Sequence, residues 1–148
     1  MKPALRAGGG AEAKQGDRLA GKSVLREERD SFGHAFRGLL FTWETQRHLR
    51  VHLALATLAV LLGLILRIGA TEWALLALTI ALVLSLELLN TVVEAVVDLV
   101  TPDYHPLARV AKDVAAGAVL VSAIGGLAVG AFLFLPRLWA LALSLLSR

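Results

Sequence analysis

The sequence predicts an all-α membrane protein, with one amphipathic helix at the membrane surface and three membrane-spanning helices. Apolar residues make up 57% of the chain, against about 45–50% in an average soluble domain. They occur in blocks of roughly 18–20, the length that crosses the hydrocarbon core of a bilayer. The chain has no cysteine, which excludes disulfides and thiol chemistry.

The chain begins with a polar stretch and continues into an amphipathic helix. Residues 1–30 are rich in charge, glycine and alanine, which predicts a flexible cytoplasmic tail. Over residues 31–50, Ser31 is a suitable N-cap, and apolar side chains recur at helical spacing, as in Phe32, Phe36, Leu39 and Trp43. This segment is too polar to span a membrane and is typical of a helix in the cytoplasmic interface.

Three spans follow, at residues 51–68, 73–100 and 112–135, and residues 136–148 form a short apolar extension after Pro136. The connection between the first two spans carries little positive charge and is therefore predicted to face outward. The amino end is then cytoplasmic and the carboxyl end lies outside. The second span, at about 42 Å, exceeds the roughly 30 Å hydrocarbon core, so its last turns should emerge on the cytoplasmic side.

An acidic stripe lies at that emerging end. Glu87, Asn90, Glu94 and Asp98 follow at spacings of three and four, which places them on one face of a helix. Carboxylates within a membrane helix are costly and turn toward protein or water. Glu87, the deeper one, is suited to act as a general base and Glu94 to hold a divalent cation. Polar contacts between helices, or an ion pathway, would produce the same spacing.

Downstream, Lys112 and Asp113 open the third span. Lys112 could neutralise phosphate oxygens, and Asp113 could help to hold Mg²⁺, which usually takes one or two carboxylates plus substrate phosphates. Phosphoryl transfer fits this set of side chains. Three spans are too few to enclose a polar site, so we expect a homo-oligomer.

Two histidines, His48 and His52, are four residues apart, which is a metal-ligand spacing. Arg47 and Arg50 would repel a cation there, and no third ligand is evident in the sequence. We therefore do not expect a zinc site.

The acidic stripe and the residues after it resemble a small family of prokaryotic membrane lipid kinases, diacylglycerol kinase and undecaprenol kinase. The similarity extends from about Ser31 to Leu135, and its motif is Glu87-x-x-Asn90-Thr91-x-x-Glu94-x-x-x-Asp98, Tyr104-His105, and Ala111-Lys112-Asp113-x-Ala115-Ala116-Gly117-Ala118. The resemblance implies an ATP-dependent kinase that phosphorylates the hydroxyl of a membrane lipid. It also implies a homotrimer in the plasma (inner) membrane, with active sites shared between neighbouring subunits.

By this resemblance Glu87 is the general base and Asn90 supports it. Glu94 binds metal and nucleotide, whereas a loop and the start of the third span bind ATP through Asp103, Tyr104, His105, Lys112 and Asp113. Mg²⁺ is the implied cofactor. The family's second metal-binding glutamate aligns with Gln46, whose oxygen carries no charge, so weaker metal binding or a non-catalytic protein stays open.

Arg50-Val51-His52 resembles the undecaprenol kinase branch, so we expect undecaprenol as the lipid, with diacylglycerol as the alternative. A trimer that conducts ions is a further possibility.

Overall fold

The computed structural model describes residues 28–147, which form four helices and no strand. Helix α1 covers 28–45, and the others are α2 (Arg47–Ile65), α3 (Ala70–Val100) and α4 (Pro106–Leu146). The described residues fall into two compact units that divide between Phe41 and Thr42. The predicted tail lies outside the described residues, except that 28–30 already belong to α1.

Most large apolar side chains of the three long helices face outward, and α2, α3 and α4 are each long and apolar enough to cross a membrane. A water-soluble helix would keep a polar face. The predicted all-α membrane protein with three spanning helices is therefore confirmed. Along α1, the exposed side chains of Phe32, Phe36 and Trp43 recur at helical spacing, as expected of an interfacial helix.

The amphipathic helix is shorter than the sequence predicts. Its expected range was residues 31–50, but Gln46 has an extended backbone (φ −103°, ψ 111°) and separates α1 from α2. The Gln46 amide still donates to the Thr42 carbonyl at 2.8 Å, which closes the last turn of α1. Glutamine is a good helix former, so the local sequence carries no signal for this break.

Helix α2 ends in a Schellman motif, in which two backbone amides return to the last turn. The amide of Ile68 donates to the Gly63 carbonyl at 3.1 Å and that of Arg67 to the Leu64 carbonyl at 3.3 Å. Arg67 has the left-handed backbone (φ 49°) that this position requires. Glycine usually occupies it, because a side chain there is strained.

The α3 and α4 helices form an antiparallel pair whose contacts run in opposite sequence order. Lys112 Nζ lies 2.5 Å from Asp98 Oδ1, and Arg137 Nη2 lies 2.8 Å from Glu72 Oε2. These two ion pairs are separated by about 39 Å along α3 at 1.5 Å per residue. Because this separation exceeds the roughly 30 Å thickness of the hydrocarbon core, the two ion pairs can lie on opposite sides of it.

A cluster of buried apolar side chains lies at the Glu72 end of this bundle, separate from Leu49, which is buried near the start of α2. It consists of Ile68, Leu76, Leu133 and Phe134, with Trp73 packed against it. Gly63 permits this packing, because a Cβ there would lie 3.0 Å from the Trp73 ring. This cluster therefore holds the bundle together at the end opposite Asp98 and Lys112.

Helix α4 continues well past its predicted end. We expected the third span to stop at Leu135 because Pro136 follows, yet the helix runs on to Leu146. Proline removes one backbone donor and crowds the preceding turn. Arg137 supplies a donor in that turn, since its Nη1 lies 3.0 Å from the Leu133 carbonyl oxygen. The carbonyl that loses its i−4 donor at Pro136 is that of Phe132, so the Arg137 side chain bonds the neighbouring carbonyl and does not replace the missing hydrogen bond.

Candidate active site

The deepest member of the acidic stripe is almost completely enclosed. Glu87 is 3% exposed, and Thr91, one turn further along α3, is 7% exposed. The Thr91 hydroxyl donates to the backbone carbonyl of Glu87 at 3.1 Å. Because its only proton is used there, Thr91 supplies no donor to the Glu87 carboxylate. Sequence reasoning singled out Glu87 but not Thr91, although the spacing of four residues placed it on the same face.

Glu94 is held by two amide groups, one on each carboxylate oxygen. Asn90 Nδ2 donates to Oε1 at 2.9 Å, and Gln46 Nε2 donates to Oε2 at 3.3 Å. The second contact joins the break between α1 and α2 to the acidic stripe of α3. The structure therefore brings Gln46, Asn90 and Glu94 together. The resemblance assigns Asn90 to the support of Glu87, whereas the amide of Asn90 is bonded to Glu94.

Asn90 also has an unsatisfied acceptor. Its Oδ1 is buried and has no hydrogen-bond partner among the described residues. The orientation of the amide is determined by Glu94, since turning it over would direct Oδ1 at the carboxylate. A buried acceptor without a partner is costly, so this atom is suited to accept a hydrogen bond from a bound hydroxyl or water.

The oxygen atoms around Glu94 are the possible ligands of a divalent cation. They comprise the carboxylate of Glu94 and the Oε1 of Gln46, which would face the same side after a half-turn of its amide. No group of three or more His, Cys, Asp or Glu side chains converges within residues 28–147. Mg²⁺ commonly takes only one or two carboxylates from the protein and the rest from phosphates and water. The residues fit Mg²⁺ bound together with a phosphate-bearing substrate.

Lys112 and Asp113 are adjacent in sequence but have different partners. Lys112 pairs with Asp98 at 2.5 Å, whereas Asp113 lies 3.7 Å from Arg109 Nε on its own helix. The Lys112 side chain is 36% exposed and that of Asp98 is 65% exposed, so both remain accessible to a soluble ligand. The role of Asp98 as the partner of Lys112 was not predicted, because the two residues lie on different helices.

The loop between α3 and α4 is exposed to solvent. Tyr104 is 77% exposed, and Asp103 and His105 are exposed as well. His105 caps α4, since its Nδ1 accepts the amide of Leu107 at 3.2 Å. The other ring nitrogen of His105, Nε2, takes no part in this hydrogen bond. Within the described chain, no hydrogen bond links this loop to Glu94.

This arrangement agrees with a known family. Residues 33–134 match the family model described as prokaryotic diacylglycerol kinase. The chain belongs to that family. The resemblance drawn from the acidic stripe is thereby confirmed, and the matched range ends just before Pro136.

Individual members of the prokaryotic diacylglycerol kinase family differ in the substrate that their names state. An undecaprenol kinase of Bacillus subtilis is 44% identical over 108 residues, which cover 73% of this chain and 88% of the relative. A diacylglycerol kinase of Synechocystis is 46% identical over 112 residues, covering 75% and 64%. A diacylglycerol kinase of Escherichia coli is 35% identical over 92 residues, covering 62% and 75%.

Proposed function

We propose that this membrane protein is an ATP-dependent lipid kinase that transfers the γ-phosphate of ATP to the hydroxyl of undecaprenol. The observation that carries the proposal is the division of the acidic stripe into an enclosed carboxylate, Glu87, and a tethered one, Glu94. Membership of the family supports the kinase activity. The B. subtilis relative and the Arg50-Val51-His52 sequence support undecaprenol, and diacylglycerol is the alternative acceptor.

In the reaction that we propose, Glu87 takes the proton of the lipid hydroxyl. The hydroxyl oxygen forms a bond to the γ-phosphorus as the bond from that phosphorus to the bridging oxygen of ADP breaks. Asn90 Oδ1 accepts a hydrogen bond that orients the lipid headgroup or a water beside it. The products are a lipid monophosphate, ADP and a proton held on Glu87.

The nucleotide site in this proposal lies at the other end of the stripe. Lys112, held in place by Asp98, offsets the negative charge of the phosphates, and Asp103, Tyr104, His105 and Asp113 border the nucleotide. Mg²⁺ would be held by Glu94 and Gln46, and it would stabilise the charge that develops on the phosphate oxygens. The Asp98 end then faces the cytoplasm, where ATP is available, and the protein lies in the plasma (inner) membrane.

A homotrimer completes the proposal. In one chain Lys112 and Asp98 are substantially exposed, and Glu94 is only partly buried. Neighbouring copies would close the site and exclude water from the transferred phosphoryl group.

The test is transfer of labelled phosphate from ATP with Mg²⁺ by the purified protein in mixed micelles, with undecaprenol and diacylglycerol offered in parallel. Glu87→Gln removes the base and should abolish transfer. Glu44→Gln makes the same chemical change at an exposed glutamate and should leave transfer unchanged. Transfer that survives Glu87→Gln would refute the role of Glu87.

One observation favours a second candidate, a non-catalytic member of the family. Gln46 already satisfies one oxygen of Glu94 without any cation. If neither lipid is phosphorylated at high Mg²⁺, the non-catalytic function is correct and the kinase proposal is wrong.

A further inference from the structure

A groove runs between the three membrane helices. It has a volume of about 380 Å³ and is lined by residues of α2, α3 and α4. We call it the inner groove, and its walls include His52, Leu62, Leu76, Leu84, Gly126 and Phe134. This volume lies at the lower end of the range for ligand sites, about 300–1,000 Å³.

The inner groove and the acidic stripe lie on the same face of α3. At 3.6 residues per turn, the α3 residues that line the groove are centred within about 20° of the direction of Glu87. Leu84 is the lining residue nearest to it in sequence, one turn away. From Glu87 the wall extends to Leu76, about 16 Å along α3 at 1.5 Å per residue.

A second depression lies beside the inner groove on the α3–α4 pair, and the two share Thr79 and Gly126. We call it the outer depression, and it is lined by Leu78, Leu82, Leu86, Gly117 and Gly125 among others. Its α3 residues are centred about 125° away from Glu87 around the helix. A ligand in the outer depression would therefore extend away from the acidic stripe.

The walls of the inner groove offer almost no polar partner. Thr79 lines it, but its hydroxyl donates to the Leu75 carbonyl at 2.8 Å. The ring of His52 is the other polar lining group, at the end toward the α1–α2 break. A ligand here must therefore be a hydrocarbon chain over most of its length.

We infer that the inner groove binds the hydrocarbon chain of a single-chain isoprenoid alcohol and directs its hydroxyl toward Glu87. This inference rests on the proposed kinase function and specifies how the lipid is recognised. A volume of about 380 Å³ over a length of about 16 Å leaves a mean cross-section of about 24 Å², which is room for one hydrocarbon chain. A glycerolipid would therefore leave its second chain outside the groove, whereas a prenol has only one chain. The groove also selects for length, because only a chain longer than about 16 Å reaches the Leu76 end.

Two glycines of α4 provide a matched pair of variants. Gly130 lines the inner groove, and a Cβ built there meets only Phe134 Cδ2, at 4.0 Å. Gly130→Leu should therefore fill the groove without displacing the backbone. Gly125 lies in the outer depression, where a Cβ meets nothing within 4 Å. Gly125→Leu makes the same change outside the groove.

The binding experiment uses the full-length protein in mixed micelles, with an undecaprenol analogue that carries a diazirine on the third isoprene unit from its hydroxyl, so that the probe lies within the roughly 16 Å between Glu87 and Leu76. After photolysis, mass spectrometry locates the labelled residues. We expect labelling of inner-groove residues, competition by unlabelled undecaprenol but weak competition by diacylglycerol, loss of labelling in Gly130→Leu, and retention in Gly125→Leu. Labelling confined to the outer depression, or unchanged by Gly130→Leu, would overturn the inference.

Transfer kinetics supply the second readout. Gly130→Leu should lower kcat/KM for undecaprenol by about tenfold, since the displaced part of the chain loses its buried contacts. Transfer to 3-methylbut-2-en-1-ol should stay the same, because its single isoprene unit is too short to reach Gly130, which the two ion pairs place about 12 Å from Glu87 along α3. The KM for ATP should stay the same as well. Equal loss with both alcohols would mean that the variant damages the protein or an interface between copies, and would overturn the inference.

The two proposals fail in different ways. If the wild-type protein transfers no phosphate yet the inner groove is labelled, the proposed function is wrong and the groove assignment stands. If phosphate is transferred but labelling lies elsewhere, the kinase stands and the groove assignment is wrong.

Discussion

Replacing Gln46 by glutamate should make the stability of this protein depend on a divalent cation. In the structure Gln46 Nε2 donates to Glu94 Oε2 at 3.3 Å. A glutamate there loses this hydrogen bond and places two carboxylates side by side. At about 4 Å, two like charges repel by about 4 kcal/mol in an effective dielectric constant of 20.

Partial exposure reduces that repulsion. The contact between Gln46 and Glu94 is only part-buried, so we expect a repulsion of about 1–2 kcal/mol after screening. The lost hydrogen bond adds about 1 kcal/mol. In the absence of metal, the free energy of unfolding of Gln46→Glu should therefore be about 2–3 kcal/mol lower than that of the wild type. A bound Mg²⁺ at a hundred times its Kd would restore about 2.7 kcal/mol.

The assay is thermal unfolding of the purified protein in detergent at mildly alkaline pH, in EDTA and along a Mg²⁺ titration. Gln46→Glu should have a lowered Tm in EDTA that Mg²⁺ restores. Gln46→Ala, which removes the hydrogen bond without adding charge, should have a small loss of Tm that Mg²⁺ does not restore. A Gln46→Glu variant as stable as the wild type in EDTA, with no response to Mg²⁺, would refute the proximity of these side chains to a cation site.

Three further predictions concern other parts of the structure. Arg67→Gly should raise the free energy of unfolding by about 1 kcal/mol, because the position has a left-handed backbone; a lowered Tm would contradict this. Gly63→Val should cost about 1–3 kcal/mol by overpacking against Trp73, measured against Gly125→Val, which has open space. Asp98→Asn should raise the KM for ATP several-fold with little change for the lipid, because Lys112 loses its partner; an unchanged KM for ATP would exclude this positioning role.

The α4 helix illustrates where sequence reasoning reaches its limit. Proline is a reliable local signal for the end of a helix in water, because it removes a donor and crowds the preceding turn. Here Arg137 bonds both the Leu133 carbonyl and Glu72 of α3. The continuation of α4 past Pro136 is thus accompanied by a contact between residues far apart in the chain, which no local pattern encodes.

The sequence by itself determined the all-α membrane architecture and the acidic stripe. The length of each run of apolar residues determines whether that segment can cross a bilayer. A spacing of three and four residues places side chains on one face of a helix. Both are local properties, so the spans and the shared face of Glu87, Asn90 and Glu94 could be read without a structure.

Only the tertiary structure decided which side chains meet across helices. The contact of Gln46 with Glu94 depends on a helix break that helix propensity does not predict, and the pairing of Lys112 with Asp98 depends on the register of α3 against α4. The inner groove likewise exists only where three helices pack around it. Such distances are set by packing between segments distant in sequence, and local periodicity contains no information about them.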